Sequence, residues 1–197
     1  MGHVGRVSEL WIYPVKSMGG TRVEAAQVEA SGLVGDRSWS VVRADGSPVT
    51  ARQEPRLREV GTGFAGGALT LDVPGSPPGL DPVKASAALS DWLGYDVRLL
   101  ESASSLVDVA PVHLVSRGSI AVGTEPHGDT CDTDPRANLV LDLDGDGAVE
   151  RGWLGEQIGL GGVGLEVVRH PKHCLGTYAE VRTAGRLTVG DDVRLDR

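Results

Sequence analysis

Val7-Ser8-Glu9-Leu10-Trp11-Ile12-Tyr13-Pro14-Val15-Lys16-Ser17-Met18-Gly19-Gly20 sets the architecture. Val7 to Ile12 reads as a β-strand, halted at Tyr13-Pro14 because proline has no N–H for a ladder. Val15 to Gly20 then turns, carrying the Lys16 ammonium and the Ser17 hydroxyl ahead of two glycines. Such a loop presents cations and backbone N–H groups to an anion; a solvated hairpin turn is the simpler alternative. Short strands broken by Gly and Pro recur along the chain. Arg22 to Val28 alternates apolar and polar residues and reads as a second strand. Gly32-Leu33-Val34-Gly35-Asp36-Arg37 is a glycine-bracketed turn leading into the strand Ser38 to Val42. Ala44-Asp45-Gly46-Ser47 is a hairpin turn, since Asp-Gly supplies the positive φ that tight turns need. Arg37 and Arg52 flank this hairpin as a forked donor pair for an anion, with an Asp36–Arg ion pair as the structural alternative.

Beyond it, Arg56 to Val60 and Ala68 to Val73 read as short strands, and Pro74 to Gly79 as a loop. Asp81-Pro82 is an N-cap followed by proline at the first helical position. Ala85, Ala88, Leu89, Trp92 and Leu93 repeat at helical spacing and Gly94 stops the run, which predicts one core helix. Tyr95 to Leu100 reads as a strand. Ala110 to Ser119 is a strand running into a helix start, where Ser116 and Ser119 either serve an anion or simply cap. Arg136 and Asn138 stand two apart before the apolar strand Leu139 to Leu143 and, on an extended chain, point to one side. Asp142 to Gly147 imitates the start of a calcium loop, but Trp153 stands where the bidentate Glu belongs, so it reads as a hairpin turn. Glu150 to Leu154 is one helical turn, and Leu187 to Leu195 a last hairpin through Gly190-Asp191.

The 197 residues suffice for one large domain or two small subdomains. Aromatics are only 4% of the chain while Gly numbers 28, which favours short strands and tight turns over a long-helix bundle. A formal charge of −8 argues against general binding to nucleic acid or anionic membranes. The N-terminus shows no signal-peptide pattern and no apolar run reaches a membrane span, so a soluble cytoplasmic protein is expected.

Only Cys131 and Cys174 carry thiols, too few for a disulfide framework. Cys174 ends the basic run Arg169-His170-Pro171-Lys172-His173, after the strand Gly164 to Val168. Neighbouring cations lower a thiol's pKa and favour the thiolate, so Cys174 reads as a metal or redox ligand; a buried structural cysteine is the alternative.

Leu10 to Ser17, Gly32 to Arg37 and Thr50-Ala51-Arg52-Gln53 together resemble the N-terminal β-barrel domain that precedes MOSC domains. MOSC denotes the molybdenum cofactor sulfurase C-terminal domain. Pro111 to Ser116, Asp134 to Val140, Tyr178-Ala179-Glu180-Val181, Gly185 and Val189-Gly190-Asp191 resemble the MOSC domain itself. The resemblance implies a β-rich α+β fold, with an N-terminal β-barrel-like subdomain (1–105) packed on a MOSC β-barrel with short helices (106–197). It further implies a molybdenum-cofactor (Mo-molybdopterin) oxidoreductase similar to amidoxime-reducing-component-type proteins, acting on N-hydroxylated or N-/S-oxide small molecules. Cys174 matches the thiol that ligates molybdenum. Lys16, Ser17, Arg37 and Arg136 match positions that hold the cofactor's phosphate and pterin edges, with Ser116 and Asn138 as further matches. Arg52 and Arg117 join them mainly by charge. With no iron–sulfur motif in the chain, an external electron-donor protein is implied. The chain departs from the family in placing only Leu175 and Gly176 between Cys174 and Thr177, and in having His173 where Arg is common.

Two other functions stay open on the residues: a carrier of cofactor or sulfur, with a persulfide on Cys174, and a zinc site. His127-x3-Cys131 and His170-x3-Cys174 offer four ligands acceptable to tetrahedral zinc, although the halves match no standard finger spacing.

Overall fold

In this computed structural model, which describes residues 2–103, 105–107, 109–123, 136–172 and 174–196, the opening strand is longer than its apolar stretch suggests. The strands are β1 (Gly2–Ile12), β2 (Thr21–Val23), β3 (Ala25–Glu29), β4 (Gly32–Leu33), β5 (Trp39–Arg43), β6 (Pro48–Val49), β7 (Gly61–Ala65) and β8 (Ala68–Asp72). They continue as β9 (Val97–Glu101), β10 (Val112–Ser116), β11 (Leu139–Leu143), β12 (Gln157–Leu160), β13 (Val163–Arg169), β14 (Thr177–Thr183), β15 (Gly185–Thr188) and β16 (Asp192–Asp196). The helices are α1 (Pro82–Leu93) and α2 (Arg117–Val122), with 3-10 turns at Pro55–Glu59 and Val149–Trp153.

The chain divides into two units, one of Met1–Trp11, Arg22–Val34 and Val107–Arg197, the other of Ile12–Thr21 and Gly35–Leu106. The first unit holds a closed seven-stranded barrel in the order β11-β10-β14-β13-β12-β16-β1, with β1 returning to β11. It is mixed, because β10 and β11 run parallel while the other neighbours are antiparallel. Closure removes the open edges that a flat sheet would present. β1 makes closure possible by pairing with β16 over Gly2 to Arg6 and with β11 over Gly5 to Leu10. At their crossing, Gly5 has φ +147°, and a Cβ there would lie 2.2 Å from the Asp142 carbonyl oxygen. Val7 and Leu10 are both buried although three apart, because a register shift between Val7 and Glu9 resets the alternation. A small sheet, β15-β3-β4, completes this unit.

The second unit pairs β5 with β6 and β9, adds the β7–β8 hairpin, and packs α1 over a core that includes Val15, Met18, Val41, Leu57, Leu71, Ala85 and Leu89. α1 forms as its sequence dictates. Asp81 accepts from the N–H groups of Val83 and Lys84, and Gly94 ends it at φ +83°. Ser86 and Ser90 of α1 also accept the N–H groups of Leu99 and Val97, covering the free edge of β9.

Four local expectations change. Arg56 to Val60 is not a strand: Pro55 opens a 3-10 turn that buries only Leu57. Arg22 to Val28 breaks at Glu24 into β2 and β3. β15 and β16 are no hairpin, since β15 pairs with β3 while β16 pairs with β1 and β12. Asp142 to Gly147 joins β11 to the 3-10 turn Val149–Trp153 rather than to a partner strand. Among the described residues, no helix is long and apolar enough to cross a membrane.

Candidate functional site

Cys174 lies between β13 and β14 and is half-buried. The next two residues seat its turn on β10. The Leu175 carbonyl accepts from His113 Nε2–H at 2.8 Å, and a Cβ on Gly176, which has φ +78°, would lie 2.1 Å from the Leu114 carbonyl oxygen. Leu175 packs with Val115, Ala137 and Val140, and Trp11 lies against that cluster. Since Ala137 follows Arg136, the cluster brings the Arg136 turn and the Cys174 turn to one place in the first unit.

Asn138 is fully buried and stitches β1 to β10. Its carbonyl accepts from the Trp11 N–H at 2.8 Å. Its side-chain Oδ1 accepts from the His113 N–H at 3.2 Å, and its Nδ2 donates to the Trp11 carbonyl at 3.3 Å. Arg136 does not share an extended alternation with it, because its φ of +50° turns the chain there. Ser116 caps α2, accepting from Ser119 N–H at 2.9 Å, and is buried. Arg117 is exposed and donates to Ser8 Oγ at 2.7 Å and Glu9 Oε1 at 3.1 Å. Glu9 in turn accepts from the Trp11 indole N–H at 2.9 Å.

In the second unit, Lys16 N–H donates to the Trp39 carbonyl at 2.8 Å and Met18 N–H returns to Val15 at 3.2 Å, forming a tight turn with Ser17 at φ +74°. Arg37, at φ +48°, is held at its backbone by the Tyr13 carbonyl at 2.8 Å. Its guanidinium pairs with Asp36 and lies 5.2 Å from the Tyr13 ring centroid. Asp36 is buried and accepts the Tyr13 N–H at 2.8 Å. The Asp36–Arg ion pair is therefore present. Arg52 is exposed in the turn after β6.

Among the described residues, only Ser17, Arg37 and Arg136 are non-glycine residues with positive φ. No group of three or more His, Cys, Asp or Glu among the described residues is placed to hold a metal. The zinc pairing depends on His127 and Cys131, which lie outside the described residues. The sequence reading missed Trp11, His113 and Glu150. A tryptophan beside a Tyr-Pro strand end was the one visible signal.

Most of strand β1 and the Lys16 and Arg37 turns fall within a stretch that matches a known domain family. Residues 4–100 match the MOSC N-terminal beta barrel domain. Over part of its length the chain is similar to the mitochondrial amidoxime reducing component 2 of Bos taurus, 46% identical over 85 residues, 41% of this chain and 25% of that protein. The mitochondrial amidoxime-reducing component 1 of Homo sapiens is 45% identical over 85 residues, with the same two shares of 41% and 25%. The match spans a quarter of the length of these curated relatives. The YuaD protein of Bacillus subtilis superposes at a TM-score of 0.47 with 13% identity, over 96% of this chain and 94% of that one, a likeness too distant to bear on function.

Proposed function

We propose that this chain binds the molybdenum–pyranopterin cofactor and reduces N-hydroxylated or N-/S-oxide small molecules, with the Cys174 thiolate as its metal ligand. The observation that carries the reading is the left-handed backbone at Ser17, Arg37 and Arg136. That conformation costs a non-glycine residue about 1–2 kcal/mol, and it clusters at ligand clamps and active sites. All three residues fall at positions that the MOSC resemblance gives to the cofactor.

The donor set fits such a group. Cys174 is a half-buried thiol that follows a basic run in the sequence, and cations close to a thiol favour its thiolate. Lys16 and Ser17 offer an ammonium, a hydroxyl and turn N–H groups to a phosphate. By the resemblance, Arg37, whose guanidinium also pairs with Asp36, and Arg136 would offer N–H groups to phosphate and pterin oxygens. Arg52 and Arg117 are exposed, and Arg117 is paired with Glu9; both are given to the cofactor by the resemblance mainly for their charge. Ser116 and Asn138 act by holding the strands that carry the site. When bound, the cofactor would supply a redox metal able to take oxygen from an N–O or S–O bond, with electrons from an external donor protein.

The test is expression in a molybdate-fed, cofactor-competent host, followed by metal and pterin analysis. The parent is expected to carry molybdenum and pterin together, and Cys174→Ser to lose reductase activity while keeping its fold. Full activity in Cys174→Ser, or zinc in place of molybdenum, sinks the proposal.

A further inference from the structure

β14 stops pairing with β10 at Thr177, which stands opposite Leu114. Backbone groups alternate in direction along a strand, so Ser116 presents its N–H on the same side as Leu114. The chain that would receive it has already turned away as Cys174 and Leu175. Glu150 fills that gap: its Oε1 accepts the Ser116 N–H at 3.2 Å, and the Ser119 hydroxyl as well. The side chain is fully buried, and its other oxygen, Oε2, meets no hydrogen-bond donor among the described residues. A buried carboxylate with one oxygen unsatisfied is a poor stabiliser, which points to a geometric reason for keeping it. The next residue, Arg151, donates to the Gly176 carbonyl across a long contact of 3.5 Å. Two consecutive residues of the 3-10 turn Val149–Trp153 thus hold both lips of the opening through which the chain leaves the barrel as the Cys174 turn.

We infer that Glu150 and Arg151 are positioning residues for the Cys174 thiol. Glu150 completes the β10 ladder where β14 gives way, and Arg151 tethers the far end of the turn. The inference rests on the reading of Cys174 as the working thiol, but it is tested without cofactor. The experiment measures the rate at which Cys174 reacts with a disulfide reagent, in the full chain, in a Cys131→Ser background, made in a host that lacks the cofactor. Releasing the turn raises local opening, so Glu150→Ala is expected to react about tenfold faster. Glu150→Gln keeps an acceptor oxygen and is expected within about twofold of the parent. Arg151→Ala is expected at about threefold faster with an unchanged thermal midpoint, and decides the matter if Glu150→Ala does not fold.

Unchanged rates in Glu150→Ala and Arg151→Ala, or a Glu150→Gln rate equal to that of Glu150→Ala, overturn the inference. A parent chain that binds no molybdenum defeats the proposed function and leaves these thiol rates as they are.

Discussion

Ser17 and Arg136 hold φ values of +74° and +50°, where only glycine is at ease. Replacing either by glycine removes strain and a functional side chain together, so the two effects separate. Ser17→Gly and Arg136→Gly are expected to unfold no more easily than the parent, with gains of up to about 1 kcal/mol, while retaining less cofactor. Thermal midpoints and molybdenum content check both halves, and a clear loss of stability would mean the conformation is only a packing accident. Arg37 differs, because its guanidinium neutralises Asp36, whose side chain is 1% exposed. Arg37→Met leaves that carboxylate buried alone, and breaking a buried pair from one side costs about 3–5 kcal/mol. Adding Asp36→Asn should recover most of the loss, since its Oδ1 can still accept the Tyr13 N–H; urea unfolding of the three proteins measures this. Charge and motif position marked these residues in the sequence. Their backbone conformation was not legible, because a positive φ leaves no trace in a residue type other than glycine. Asn138 misled for a related reason. Alternation says which way a side chain points, but not that backbone on two strands will meet it.

Elements governed by near neighbours were readable. α1 follows from Asp81, Pro82, an apolar stripe and Gly94, all within fourteen residues of sequence, and Asp45-Gly46 gives the β5–β6 hairpin. Elements defined by distant partners were not. The 3-10 turn at Pro55–Glu59 passed for a strand, and β15 and β16 looked like a hairpin because a Gly-Asp turn joins them, although β15 pairs with β3 and β16 with β1 and β12. The α1 cap gives a test with a definite pH dependence. The backbone N–H of Lys84, then its side chain, holds the Asp81 carboxyl below the ordinary aspartate range. A carboxyl whose folded pKa is depressed adds stability above its unfolded value near 4, and that share is lost as pH falls through the lower folded value. Asp81→Ala should therefore lower the thermal midpoint at pH 7, and the gap from the parent should narrow as pH drops below 4. A gap that stays constant with pH would show that the ionised cap is not what holds the helix start.

The barrel draws its first strand from one end of the chain and its other six from residues 112–196. β1 satisfies β16 on one side and β11 on the other, so without it both strands become open edges. Composition and motif order pointed to a β-rich fold, but not to this long-range seam, because nothing in an alternating strand specifies which distant strand it will join. Closing so large a loop is slow, and the seam should be the last part of the barrel to form. Residues 107–197 produced alone are therefore expected to show no cooperative unfolding transition and to self-associate through β11 and β16. Supplying a peptide of residues 2–12 should restore a transition by strand addition. A peptide with Gly5→Val should not, because its side chain would meet the Asp142 carbonyl oxygen at the crossing of the two ladders. Far-ultraviolet circular dichroism and sedimentation with and without each peptide distinguish these outcomes. A fragment 107–197 that folds as a stable monomer unaided would show that the barrel closes without β1, and that β1 only decorates it.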